Sequence, residues 1–117
     1  MKNFKKLLIW QKAMQLVADV YKLASQLPKE EKFELRSQLT RSAVSIPSNI
    51  AEGSAKTSKK DYKRFLEIAL GSSYELETQV LIVESLEYGE RDLRTLILRN
   101  IDEEQKMLMS FILKVEG

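Results

Sequence analysis

Apolar residues recur along this chain at helical spacing, and no stretch keeps the two-residue period of a strand. From Leu8 to Gln26, the positions Trp10, Ala13, Met14, Val17, Val20, Tyr21, Ala24 and Leu27 follow the i, i+3, i+4, i+7 rule. Trp10 and Tyr21 are therefore expected in the core. Leu16 and Leu23 fall off this stripe, seven residues apart, and predict a second apolar strip with its own packing partner, such as another subunit. Pro28 closes the segment, because the residue before a proline is pushed out of α geometry.

A second helix is predicted from near Lys29, with Glu30 and Glu31 in its first turn, where negative charge suits the helix dipole. Its spaced apolar positions are Phe33, Leu35, Leu39, Ala43, Ile46 and Ile50, and it should end near Ala55. Pro47 removes a backbone donor inside this pattern and clashes with the carbonyl four residues back. The apolar spacing survives across it, so the expectation is a kinked but continuing helix.

The third segment opens with Ser58-Lys59-Lys60-Asp61, a capping-box-like start. Tyr62, Phe65, Leu66, Ala69, Ser73, Leu76, Val80 and Val83 then form a stripe that runs to about Glu87. Gly71, with Ser72 and Ser73, lies in mid-helix at a cost of about 1 kcal/mol relative to Ala, which implies a close helix crossing there. Gly89 is placed as the C′ residue that stops the helix. A fourth helix is predicted from about Glu90 to Val115, with Glu104 on its stripe marking a solvated edge. Short loops make sequential helices antiparallel neighbours. The expected fold is all-α, an up-down-up-down four-helix bundle forming a single domain over residues 1–117.

Composition narrows the chemistry. The 117 residues contain no Cys and no His. That excludes disulfides, thiolate nucleophiles, Cys- or His-based metal centres and the usual general base near neutral pH. Neither a triad nor a phosphate-cradling Gly-rich loop is present. No enzymatic activity and no cofactor are expected. No run approaches 18 apolar residues, so no membrane span is predicted. The basic, then apolar N-terminus superficially suggests a signal peptide. Gln11, Lys12, Gln15 and Asp19 interrupt the apolar stretch and no small-residue cleavage site follows, which points to a cytoplasmic protein.

The net charge of +2 conceals an asymmetry. Residues 1–64 carry 14 Lys and Arg against 6 Asp and Glu, whereas residues 65–117 carry 5 against 11. Either a polyanion partner or assembly between unlike surfaces would use this division, or antiparallel helices neutralise one another within the bundle. The sharpest concentration is Lys56, Lys59, Lys60, Lys63 and Arg64 at a helix N-terminus. Exposed amide donors beside such a cluster would suit the phosphates of RNA; the alternative is a solubilising helix end. Lys2, Lys5 and Lys6 add to it. Tyr62 could stack on a base, although capping the bundle is the stronger reading. Tyr88 should cap the other end.

The run from Gln38 to Gly53, QLTRSAVSIPSNIAEG, closely resembles the signature of the "four helix bundle protein" family, encoded by intervening sequences inserted in bacterial 23S ribosomal RNA genes. Trp10-Gln11-Lys12-Ala13 and the stretch from Phe65 to Glu77, FLEIALGSSYELE, resemble it as well, so that the likeness covers nearly the whole chain. The resemblance implies a non-enzymatic bundle assembled as a ring-shaped homopentamer, with RNA or a ribonucleoprotein as the expected partner. The accessory protein of diversity-generating retroelements is a more distant likeness. It implies the alternative of a protein-binding adaptor to a reverse transcriptase. A pentamer would repeat the basic cluster fivefold and gain avidity.

The motif as matched places Arg41, Ser45, Pro47, Asn49, Glu52, Glu75 and Glu77 among candidate interface residues. Ser42, Ser45, Ser48 and Asn49 around Pro47 read either as a polar surface for a partner or, more strongly, as hydroxyls and an amide that compensate the missing proline bond. Nothing is placed to activate Ser45 as a nucleophile. Arg41 and Glu52 lie three turns apart, too far to bond directly, and each is expected to pair with a neighbouring helix or subunit. Glu75 and Glu77 point to different faces. Ion pairing is favoured over a metal site, which needs more converging oxygens.

Overall fold

A computed structural model describes residues 3–117; Lys2 lies outside the described residues. Four α-helices follow one another: α1 (Leu8–Ser25), α2 (Leu35–Ser54), α3 (Lys59–Ser85) and α4 (Arg91–Glu116). Short 3₁₀ turns at Phe4–Lys6 and Lys29–Glu31 precede α1 and α2. No strand occurs among the described residues.

Specific contacts give the helix directions. Ser42 meets Gln79 and Ser45 meets Ser72, while Gly53 lies against Tyr62 and Phe65, so α2 and α3 run in opposite directions. Glu77 meets Gln105 and Lys63 meets Glu116, which makes α3 and α4 antiparallel. Lys12 reaches Glu103 and Gln26 reaches Glu90, closing α1 against α4 in the same sense.

The core draws on all four helices, with Leu16, Leu23, Leu39, Ile46, Leu66, Leu76, Ile97 and Leu108 fully buried. Of the predicted α1 stripe, Ala13, Val20, Ala24 and Leu27 are in the core, but the assignment of the other positions is corrected. Leu16 and Leu23 are core residues, whereas Met14 is 45% and Tyr21 53% exposed. Two apolar stripes, Ile9-Leu16-Leu23 and Trp10-Met14-Val17-Tyr21, run side by side about 100° apart, and periodicity alone does not select the buried one. The compact aliphatic stripe takes the interior. Trp10 and Val17 are half-buried at its margin.

The start of the second helix is also corrected. Residues 29–34 form a 3₁₀ turn followed by a further hydrogen-bonded turn, and α2 begins at Leu35. Phe33 is 82% exposed. Glu34 has φ −108° and ψ −97°, outside helical geometry, and the Arg36 guanidinium donates to the Leu27 carbonyl at the end of α1. Downstream, α2 continues through Pro47, which is buried.

The run Gly71-Ser72-Ser73 does meet α2, through Ser72, whose hydroxyl lies 2.8 Å from that of Ser45, and Ser73 is buried; the glycine that a close approach requires is Gly53, not Gly71. A Cβ on Gly53 would sit 2.8 Å from the Phe65 Cβ, whereas one on Gly71 would meet nothing within 4 Å. Ser58 caps α3 as expected, its hydroxyl accepting from the Asp61 amide at 3.1 Å. The other end differs: Glu87, not Gly89, is the C′ residue. Glu87 adopts φ 56°. Its amide donates to Glu84, and the Tyr88 amide donates to Val83 at 3.1 Å, the paired bonds of a Schellman motif. Gly89 also has positive φ, at 71°, but serves the loop: a Cβ there would come 2.6 Å from Leu23 Cδ1.

Glu104 is not at a solvated edge. It has 0% exposure, and neither carboxylate oxygen has a hydrogen-bond partner. Burial pushes its carboxyl up to about 8, opposed only in part by the charge of Lys12.

Candidate functional site

The fold gathers dispersed cations at one end of the bundle. The ring contact between Tyr62 and Phe111, 6.0 Å between centroids, ties the start of α3 to the end of α4. Lys6 and Lys114 line one groove beside Leu7, Met107 and Phe111, which brings the 3₁₀ turn before α1 to the same end. Lys6, expected at this end from the sequence, and Lys114 thereby lie at the same end as the predicted cluster of Lys56, Lys59, Lys60, Lys63 and Arg64. The sequence adds Lys6 to those five but misses Lys114, which is far from them along the chain.

Within the cluster the cations are not equivalent. Lys63 pairs with Glu116, and that hydrogen bond, followed by the Glu116 charge, raises its pKa. Arg64 lies 3.8 Å from Asp61. Lys56 and Arg64 sit 5.0 and 4.8 Å from the Phe65 ring centroid, within cation–π range. Lys59 and Lys60 stand exposed in the first turn of α3. The bridges from Lys12 to Glu103 and from Lys63 to Glu116 join the basic to the acidic part of the chain, so part of the sequence asymmetry is neutralised internally. Tyr62 is 5% exposed, and burial raises its hydroxyl pKa. It caps the bundle end, where its ring has no open face for a base. Tyr88 is half-buried at the opposite end.

A second feature is the polar seam between α2 and α3. Ser42 Oγ donates to Gln79 Oε1 at 2.6 Å, and the hydroxyls of Ser45 and Ser72 lie 2.8 Å apart. Ser42 also returns to the Leu39 carbonyl, and Asn49 Nδ2 donates to the Ser45 carbonyl and hydroxyl. These bonds serve the seam and the turns next to Pro47, whereas the carbonyl orphaned by the proline is that of Ala43. Arg41 and Glu75, distant in sequence, line one groove of about 330 Å³ over this seam. Arg41 Nη2 donates to Ser37 Oγ at 3.1 Å. Glu77 faces the other way and accepts from Gln105 Nε2 at 2.9 Å. Glu52 is exposed on α2 and is not brought to Arg41.

The third feature is apolar. Trp10, Met14, Val17, Val44, Pro47 and Ala51 line an open groove between α1 and α2. Pro47 thus contributes to a surface as well as to a helix. Val44 is 39% exposed there, and Ile68, Ile82 and Leu86 are exposed along α3. Among the described residues, no group of three or more His, Cys, Asp or Glu side chains could hold a metal ion, and no helix is long and apolar enough to cross a membrane.

The family described as 23S rRNA-intervening sequence protein matches residues 5–110. A crystal structure of a protein of unknown function from the S23 ribosomal protein family of Bacteroides thetaiotaomicron VPI-5482 superposes with a TM-score of 0.83 at 27% identity. The match covers 90% of this chain and 98% of that one. No curated protein matches the sequence.

Proposed function

The chain belongs to the 23S rRNA-intervening sequence protein family, and from that premise we propose a non-catalytic, homo-oligomeric bundle that binds RNA or a ribonucleoprotein through its basic end. The observation that carries the assembly is the open apolar groove of Trp10, Met14, Val17, Val44 and Pro47. Met14 and Val44 are exposed in it beside the half-buried Trp10 and Val17, and exposed apolar side chains grouped in one groove suit an interaction site. A second copy covers it, side by side, in a ring whose subunit number of five is taken from the family resemblance. The ring presents the Lys56–Arg64 cluster of every protomer on one face, and avidity compensates for the modest charge of each. Phosphate contacts by Lys59 and Lys60 make the affinity fall steeply with salt. The protein works in the cytoplasm, where ribosomal RNA is found.

Sedimentation at micromolar concentration tests the assembly, and a stable monomer overturns it. Fluorescence anisotropy of labelled RNA over a salt series tests the basic end. Salt-independent or absent binding overturns that part. The exposed strip of Ile68, Ile82 and Leu86 supports a second reading, a protein-binding adaptor. Under it, the ring forms normally but RNA binding is absent.

A further inference from the structure

The groove over the α2–α3 seam has a composition that neither subunit packing nor phosphate binding needs. One wall carries the Arg41 guanidinium and the other the Glu75 carboxylate. Both residues are exposed, and among the described residues no ion pair joins them. Gln79, at the groove floor, is 7% exposed. Its Oε1 is taken by Ser42 at 2.6 Å. With Oε1 turned to the Ser42 hydroxyl, which is shared with the Leu39 carbonyl, the Nε2 donor has no partner among the described residues. The lining offers a two-oxygen acceptor on α3, a guanidinium on α2 that spends one N–H on Ser37 Oγ and keeps its others, and the Gln79 amide, in a volume of about 330 Å³. That volume lies within the range of small-ligand sites, roughly 300–1,000 Å³.

A carboxylate accepts two bonds at once only where two N–H groups lie side by side. Among the four RNA bases, guanine presents this arrangement, with N1–H next to the exocyclic amine. Its O6 and N7 are the acceptors that a guanidinium reads in bidentate fashion. Uracil sets a single N–H between two carbonyls that would repel Glu75, while adenine and cytosine place an acceptor next to their amine. We propose that this groove binds an unpaired guanine of single-stranded RNA, with Glu75 on the N1–H and amine edge and Arg41 and Gln79 supplying donors. The inference rests on the RNA-binding reading above. Glu75 lies 11 residues beyond Arg64 on α3, about 16 Å along the helix. A strand held at the basic end therefore reaches the groove without leaving the protein.

The test compares the full-length protein's affinity for octauridylate with that for the same oligonucleotide carrying one central guanosine. Inosine serves as a third probe, because it lacks the exocyclic amine. The guanosine oligonucleotide is expected to bind roughly tenfold more tightly than octauridylate, with inosine between them. Glu75→Gln and Arg41→Lys, both at exposed positions, should abolish the difference while preserving the octauridylate affinity. Equal binding of all three probes overturns the guanine site and leaves the RNA reading standing. No binding of any probe overturns both. Dissociation of the oligomer by Glu75→Gln, read by sedimentation, assigns the groove to a subunit contact and overturns the proposal.

Discussion

Lys12 crosses from α1 to α4 and closes on Glu103 at 2.5 Å, while the next residue, Glu104, stays sealed in the core without a hydrogen bond. Lys12 lowers the Glu103 pKa by hydrogen bond and charge. Burial raises that of Glu104 to about 8. Two adjacent carboxylates are thus driven in opposite directions, because α4 turns by 100° between them.

The Glu104 shift predicts a pH dependence of unusual sign. A carboxyl raised from 4.5 to about 8 in the folded state contributes stability in its protonated form. That contribution is complete below pH 4.5 and is lost as pH rises to about 8, by on the order of 5 kcal/mol in total. Glu104→Gln should flatten this decline and raise the Tm at pH 8. Chemical denaturation of both forms from pH 5 to 8 decides it, and parallel curves would refute the assignment. The lowered pKa of Glu103 acts below pH 4.5 and leaves this window clear.

Glu87 holds a left-handed conformation that costs a non-glycine residue about 1–2 kcal/mol. Glu87→Gly should therefore stabilise the fold by about 0.5–1 kcal/mol, after allowance for the added freedom of the unfolded chain. Thermal unfolding should show a Tm increase of a few degrees.

The two helical glycines should respond oppositely to alanine. At Gly53 the new methyl meets the Phe65 Cβ at 2.8 Å, so the helices must shift at a cost of about 1–3 kcal/mol. At Gly71 it meets nothing, and helix propensity predicts a gain of up to about 1 kcal/mol. Urea midpoints of the two variants measure the difference, and a gain at Gly53 would contradict the close crossing.

The apolar groove between α1 and α2 yields a prediction about assembly. Val44→Glu places a charge at its open rim without entering the core, since Val44 is already 39% exposed. Light scattering should show the oligomer falling to monomer while the circular dichroism spectrum remains helical. An unchanged mass would move the subunit contact elsewhere.

Much of the fold was legible along the chain. The 3.6-residue spacing marks all four helices, Ser58 announces the start of α3, and the apolar spacing through Pro47 shows that α2 continues. The misreadings share a cause. Tyr21 and Leu16 belong to adjacent stripes of one helix, and only the packing of the other three helices decides which faces inward. Glu104 sits on an apolar stripe as a charged residue, and a sequence offers no means to distinguish a wetted stripe position from a desolvated one. Gly89 has the composition of a helix stop, but the turn geometry assigns the left-handed residue to Glu87.

The candidate sites divide in the same way. Lys56 to Arg64 stand together in sequence because one helical end carries them, and local spacing suffices to find them. Lys6 is expected there as well, whereas Lys114 joins that end only through the packing of α4 against the start of the chain. Arg41 and Glu75 meet in one groove only because α2 and α3 run in opposite directions. The sequence by itself determined helix content, the four-helix architecture, and the absence of Cys and His chemistry, all of which depend on residue type and short-range periodicity. The tertiary structure decided which stripes are buried, which charges are neutralised and which distant side chains share a groove, because these depend on contacts between helices.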